Sequence, residues 1–332
     1  MTFDIELFRS MPLRSESEIK SRWRNISPTV SVICTTYNQE QYIEDAIRGF
    51  LLQETDFSFE IIIHDDASTD QTLNILYRYQ DRYPNLIKLV TQNFNQYSQG
   101  KQIISLVVPY AKADYIAICE GDDFWIDAKK LQTQMNFLLE QPNFDICFHS
   151  VKTIIKDDIV LPSEVRNSLP AVVKLINVIA GGGSYMPTAS LILKKSIIQN
   201  LPDWFHKMPI GDYFIQVYGS LNGALFLSNE MAAYRMLATN SWTRKMKDDS
   251  QLRIRNEKKI LLGINCLDKE LGTRFEISHG INKARANIIF NILYISIKSG
   301  NYKSLFEGSG LSIFRHGHHL IVAAASRLLK MV

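Results

Sequence analysis

Within the first 128 residues, short apolar runs alternate with amphipathic segments, and most of the runs empty into a polar turn. Val30–Cys34 leads into Thr35-Thr36-Tyr37-Asn38, and Phe59–His64 leads into Asp65-Asp66-Ala67-Ser68-Thr69-Asp70. Ile87–Val90 follows, and then Tyr115–Cys119, which ends in Glu120-Gly121-Asp122-Asp123. Between them, Ile43, Ala46, Ile47, Phe50 and Leu51 recur at helical spacing, predicting a helix from about Gln41 to Gln53. Leu73, Leu76, Tyr77 and Tyr83 mark a second helix, which Pro84 ends. A third runs through Ile103, Ile104, Val107 and Val108. Strands alternating with helices of this length imply βαβ units, hence an α/β chain with a mostly parallel, Rossmann-like sheet flanked by helices. In such a sheet the turns that follow the strands lie at one edge, where ligands bind. The turns Thr35–Asn38, Asp65–Asp70 and Glu120–Asp123 are therefore expected to converge.

The third of these turns carries the most chemistry. A buried strand that opens into Glu120, Asp122 and Asp123 sets hard oxygen ligands at the sheet edge, with Gly121 giving a backbone free of Cβ clashes. Oxygen donors of this kind suit Mg²⁺ or Mn²⁺, held by few carboxylates and completed by substrate phosphates.

A length of 332 residues is too great for one small core, and 46% hydrophobic with 21% charged residues is a globular composition. A net charge of +3 gives no argument for nucleic acid. Basic residues gather instead at Arg244–Lys259 and Arg315–Lys330. Cys34, Cys119, Cys147 and Cys266 have no metal spacing and read as buried, reduced thiols of a cytosolic protein. The N-terminus lacks the basic and apolar pattern of a signal peptide, and no run approaches the apolar length of a membrane span.

Residues 1–28 read as an N-terminal extension on the surface, with one helical segment near Ser15–Arg24. After Asp127, a helix (Lys129–Glu140), a strand near Asp145–Ser150, another at Ser190–Leu193 and a short helix Tyr213–Tyr218 are expected. Ala224–Leu227 and Met231–Met236 read as a pair of strands, and the chain is helical from Lys247 onward. The loop Gly181-Gly182-Gly183-Ser184 either approaches a ligand or simply turns.

Four segments in this order resemble the inverting, metal-dependent glycosyltransferases of family 2, which have the GT-A fold. They are Val30–Asn38, the Asp65-Asp66-Ala67-Ser68-Thr69-Asp70 turn, Glu120-Gly121-Asp122-Asp123, and Phe124-Trp125 with Leu131. The resemblance covers roughly residues 28–240. It implies a GT-A domain over 29–245, with a nucleotide-binding half (29–128) and an acceptor half (129–245), followed by a helical region (246–332).

The resemblance assigns Thr35, Tyr37 and Asp66 to the nucleotide of a sugar donor. Tyr37 offers an aromatic face to the base, and Asp66 accepts either the uracil N3–H or a ribose hydroxyl. Asp65 belongs with them, whereas Asp70 either joins them or caps the next helix. Lys101 is either a phosphate contact or a solvated lysine. Asp122 is the metal ligand bridging the diphosphate. Glu120 stands where the family has Asp, and being one methylene longer it either binds the metal through water or contacts ribose. Asp123 is placed beside the sugar. Gly211-Asp212-Tyr213 matches the family's acid at a helix start, with Gly in place of Glu, so Asp212 is the general base. Ala233-Tyr234-Arg235-Met236 resembles the family's Tyr-Arg segment; Arg235 is expected to pair with diphosphate, and Leu237 occupies the place of a metal-binding His. Trp242 either lines the acceptor site or packs in the core.

What the resemblance implies as a whole is a transferase moving a sugar from a UDP-linked donor, with Mn²⁺ or Mg²⁺, to a lipid-linked glycan acceptor. Such enzymes build bacterial surface polysaccharides (O-antigen or capsule) at the cytoplasmic face of the inner membrane. The rival readings are a nucleotidyltransferase, disfavoured by the absence of glycine in Thr35–Asn38, and a degenerate, non-catalytic binding module, for which Glu120, Gly211 and Leu237 are the departures. His316-Gly317-His318-His319 has no acidic or cysteine partner nearby and is not read as a metal site. The tail Leu311–Val332 either docks on the domain or lies on an anionic membrane surface.

Overall fold

The structure, a computed structural model, describes residues 3–155, 159–161, 171–239, 241–273 and 275–301. The segments His316–His319 and Leu311–Val332 lie outside these residues. Ten strands form one mixed sheet: β1 (Val30–Thr36), β2 (Phe59–Asp65), β3 (Ile87–Thr91), β4 (Tyr115–Glu120), β5 (Phe124–Trp125), β6 (Ile146–Ile155), β7 (Ile159–Leu161), β8 (Val172–Val173), β9 (Ile192–Lys194) and β10 (Ala224–Arg235). Their order is β3-β2-β1-β4-β9-β6-β10-β5, with β7 on β6 and β8 on β10. β1 runs parallel to both β2 and β4, and β2 parallel to β3. β9 is antiparallel to β4 and to β6, which returns β6 and β10 to the direction of the first four strands.

The expected βαβ alternation is therefore present, and its cause is visible in burial. β1 and β2 are covered on both faces, as parallel strands between helical layers must be. One layer packs Ile43, Ala46, Ile47, Phe50 and Leu51 with Ile61, Ile63 and Leu76. The other packs Ile33, Ile62 and Ile118 with Val107, Phe214 and Ile264. The helix after Gly100 is shorter than its periodicity implies. It covers Ile103–Val107 and tightens to a 3₁₀ turn at Val108–Tyr110, where Pro109 cannot continue it.

One sequence expectation is corrected. Ala224–Leu227 and Met231–Met236 are not a pair of strands but one strand, β10, parallel to β6 along both parts. Between Leu227 and Glu230, β10 advances three residues while β6 advances one, from His149 to Ser150. The surplus residues bulge out with Ser228 and Asn229 exposed, so the polarity that reads as a turn marks a bulge.

The N-terminal segment also does more than lie on the surface. Phe8 packs on Phe124 with tilted rings at 5.0 Å between centroids, just past the acidic turn. Arg14 donates to the carbonyls of Leu52 (3.2 Å) and Gln53 (2.7 Å), closing the C-terminal end of the helix Ile43–Leu51. From the other side of the sheet, the helices Ser250–Leu271 and Phe275–Lys298 pack against each other and onto Phe214 and Ile176.

Candidate active site

The C-terminal ends of β1, β2 and β4 open into one cleft of about 1390 Å³. Thr35, Tyr37 and Asp66 line it, together with Asn95 and Tyr97. Glu120, Asp122 and Asp123 line it as well, as do Asp212 and the Gly181–Ser184 loop. The three turns converge there, as topology predicts. Their convergence is fixed by backbone bonds: Gly121 N–H donates to Thr35 O (3.0 Å), and Asp66 N–H donates to Thr36 O (3.0 Å).

Gly121 avoids a Cβ clash, as expected. Its backbone is not in the left-handed region. The glycine is required by close approach, since a Cβ there would lie 3.0 Å from the Thr36 Cβ and closer still to Gln39.

Around the nucleotide end, Asp66 accepts from the amides of Gln96 (2.7 Å) and Tyr97 (2.9 Å), and so holds the loop after β3 over the cleft. Asp65 turns away from the cleft lining and accepts from Ser68 N–H (3.0 Å). Asp70 accepts from Thr72 N–H (2.9 Å) at the start of the helix Thr72–Arg82 and from Glu40 N–H (3.1 Å). Of its two readings, the helix-start role is the one with contacts. Lys101 is exposed and does not line the cleft.

The acidic turn is clamped from behind. Asp123 accepts the backbone N–H of Arg235 (2.9 Å), and the Arg235 guanidinium donates to Asp122 O (3.0 Å) and to the Asp45 carboxylate. Asp45 also receives Arg9 (2.8 Å), so a 4% exposed aspartate joins the N-terminal segment, the helix Ile43–Leu51 and β10. The guanidinium of Arg235 further lies 4.4 Å from the Phe124 ring centroid. The Arg235 guanidinium is thus paired with Asp45 and braces the acidic turn, while Arg235 also lines the cleft. Asp45→Ala leaves the two arginines without that counter-charge. It is expected to lower unfolding free energy by about 3–5 kcal/mol, read by denaturant titration.

The three carboxylates of the turn repel one another. Enclosure in the cleft walls, then Asp122 and Asp212, push the Glu120 carboxyl up to about 8. Burial likewise raises Asp122 and, further, Asp123. A cation relieves this crowding, and hard oxygens are the donors that Mn²⁺ and Mg²⁺ take. Among the described residues no three His, Cys, Asp or Glu side chains close into a cage. The arrangement fits an open site, with one or two carboxylates and the remaining positions left to phosphate and water.

Asp212 begins the helix Asp212–Gly219 and accepts from Tyr213 N–H (2.8 Å). Burial pushes its carboxyl up to about 6. A Cβ on Gly183 would stand 3.5 Å from Asp212 Oδ2, so the glycine loop does approach the proposed base. Gly211, the departure from the family's Glu, has a local cause: a Cβ there would meet Gln102 Oε1 at 2.8 Å.

Several lining residues carry no signal in the sequence. Lys245 sits with its ammonium 5.8 Å from the centroid of the Tyr37 ring. Glu257, Asn287 and Asn291 also line the cleft, from two helices beyond the matched motifs. Glu257 Oε2 is buried without a hydrogen-bond partner. Trp242, left open between two roles, lines the cleft and is 40% exposed, so it is no core residue.

Residues 31–201 match the sequence pattern of a family described as "Glycosyl transferase family 2". The chain is 34% identical over 221 residues to the Mycobacterium tuberculosis protein Rv1520, spanning 64% of this chain and 60% of that protein. It thus spans about 60% of the length of these curated relatives. Over 131 residues it is 30% identical to WfgD of Escherichia coli, a "UDP-Glc:alpha-D-GlcNAc-diphosphoundecaprenol beta-1,3-glucosyltransferase", covering 40% of this chain and 49% of WfgD. Its fold is similar to that of S. aureus TarS 1–349 solved with UDP-GlcNAc, with a TM-score of 0.57 over 86% of this chain and 76% of the other at 19% identity.

Proposed function

This chain belongs to glycosyl transferase family 2, and we propose that it moves a hexose or N-acetylhexosamine from a UDP-linked donor, with inversion, to a lipid-linked glycan. The observation that carries the proposal is that Tyr37, Asp66, Asp122 and Asp212 line one cleft. A nucleotide, a diphosphate and an attacking hydroxyl call for an aromatic face, a carboxylate for the nucleobase, a metal ligand and a general base within one such cleft. The donor half 29–128, the acceptor half 129–245 and the helical region after them are part of the same reading.

Tyr37 stacks the base, Thr35 contacts the nucleotide, and Asp66 takes the uracil N3–H on the lone pairs left by its loop amides. Asp122, with Glu120 directly or through water, would hold Mn²⁺ or Mg²⁺. When bound, that cation neutralises charge growing on the departing diphosphate. Asp123, fixed by Arg235 N–H, faces the sugar. Asp212 removes the acceptor proton as the acceptor oxygen attacks the anomeric carbon on the face opposite the diphosphate. The bond from that carbon to the diphosphate oxygen breaks, and its electron pair leaves with UDP.

Beyond Asp212 the cleft continues between the two long helices, where Ile260, Ile264 and Ile288 give apolar surface and Glu257 and Asn291 give polar groups. Sugar rings have one apolar face and a rim of hydroxyls, and this lining serves both. No helix among the described residues is long and apolar enough to cross a membrane. A lipid-linked acceptor is met at the membrane surface, and we place the enzyme at the cytoplasmic face of the bacterial inner membrane, building a surface polysaccharide such as O-antigen or capsule.

The test is turnover of radiolabelled UDP-sugars with a bacterial lipid-linked oligosaccharide extract, followed by NMR of the product linkage. A β-linked product from an α-linked donor is expected. An α-linked product overturns the in-line mechanism, and no transfer from any UDP-sugar favours the non-catalytic reading.

A further inference from the structure

Resting on the donor reading above, we propose that Lys245 is the diphosphate-binding cation of this site. In the free enzyme it is parked on the aromatic face that the nucleobase takes.

Six carboxylates, Asp66, Glu120, Asp122, Asp123, Asp212 and Glu257, line the cleft. A nucleoside diphosphate brings further negative charge into the same space, and one divalent ion offsets only part of the sum. The sequence nominates Arg235 and Lys101 for the remainder. Arg235 lines the cleft but already shares its charge with Asp45, and Lys101 lies outside the cleft lining. Among the described residues that line the cleft, Lys245 is the lysine, and it forms no ion pair with any carboxylate.

Position supplies the second part. Lys245 stands on the helix Trp242–Asp248, which Ser241 caps by accepting from Arg244 N–H (3.2 Å) and which Met246 anchors by burial. The lysine is exposed on that helix, so its side chain changes rotamer without disturbing the fold. Its ammonium rests 5.8 Å from the Tyr37 ring centroid, inside the range of a cation–π contact. Such a contact at an exposed site is weak, whereas a charge-assisted bond to phosphate is stronger. A base stacking on Tyr37 displaces the ammonium, and the diphosphate attached to that base receives it. Lysine, a point charge on a flexible stem, suits such a transfer better than a planar guanidinium.

This makes a prediction of opposite sign for two ligands that differ only in the diphosphate. Calorimetric titration of UDP and of uridine, each with Mn²⁺, is compared for the parent, Lys245→Gln and Lys245→Arg. Lys245→Gln is expected to weaken UDP about tenfold, while uridine binds unchanged or more tightly because the Tyr37 face is vacated. Lys245→Arg is expected to recover most of the UDP affinity. The UDP affinity of Lys245→Gln also loses part of its salt dependence. Equal losses for UDP and uridine overturn the proposal, since they place Lys245 in the support of Tyr37. Unchanged UDP affinity overturns it too. If the parent itself binds no UDP, the donor reading fails first and this proposal with it, so the two failures are told apart by the parent titration.

Discussion

An Asp212→Asn enzyme is expected to bind UDP as tightly as the parent and to transfer sugar about 10²–10⁴-fold more slowly. The amide keeps the shape and still accepts from Tyr213 N–H, so the helix start survives. What it loses is the ability to take a proton. Burial has already moved this carboxyl up to about 6, into the range where a base is effective near neutral pH. The sign of the pH profile follows. Only the ionised form removes the acceptor proton, so kcat/KM of the parent rises with pH through about 6 and levels off above it. In Asp212→Asn that rise is expected to vanish along with the rate. A variant that retained the parent rate would identify Asp212 as a helix-start residue alone.

Asp122→Ala is the second large effect. Stabilisation of a leaving diphosphate by a bound cation is worth several kcal/mol, which at 1.36 kcal/mol per decade corresponds to about 10³-fold in kcat. The variant is also expected to lose the Mn²⁺-dependent part of UDP affinity, read by titration with and without chelator. Folding is expected to survive, because the clamp behind the turn uses the Asp122 backbone carbonyl, with the Asp123 side chain, Arg235 and Asp45. A substitution that abolished activity but also collapsed the thermal transition would show the clamp to depend on Asp122 itself. Near-parent turnover would remove Asp122 from the chemistry.

The first four strands were legible because their apolar runs and the helical spacing between them repeat without interruption. Topology alone then gathers Tyr37, Asp66 and Asp122 at one edge. What was illegible depends on partners distant in the chain. Arg235 reads as a cation for phosphate until Asp45 is found against it, 190 residues away in sequence. Gly211 reads as a lost acid until Gln102 is found filling the space of its Cβ. The bulge in β10 reads as a turn because Ser228 and Asn229 are turn residues, and only the common partner β6 shows the strand to be continuous. Lys245 and Glu257 lie in helices whose charges look like ordinary solvated faces. Their place at the cleft comes from the packing of those helices against the sheet.

The central claim is that this cleft holds a UDP-sugar through a metal-bridged diphosphate. Its most direct test is calorimetric titration of UDP into the parent protein with Mn²⁺ and again with excess chelator. The account predicts saturable binding at one site per chain that weakens markedly when the metal is withdrawn. Binding of equal strength in both conditions, or none in either, would contradict it.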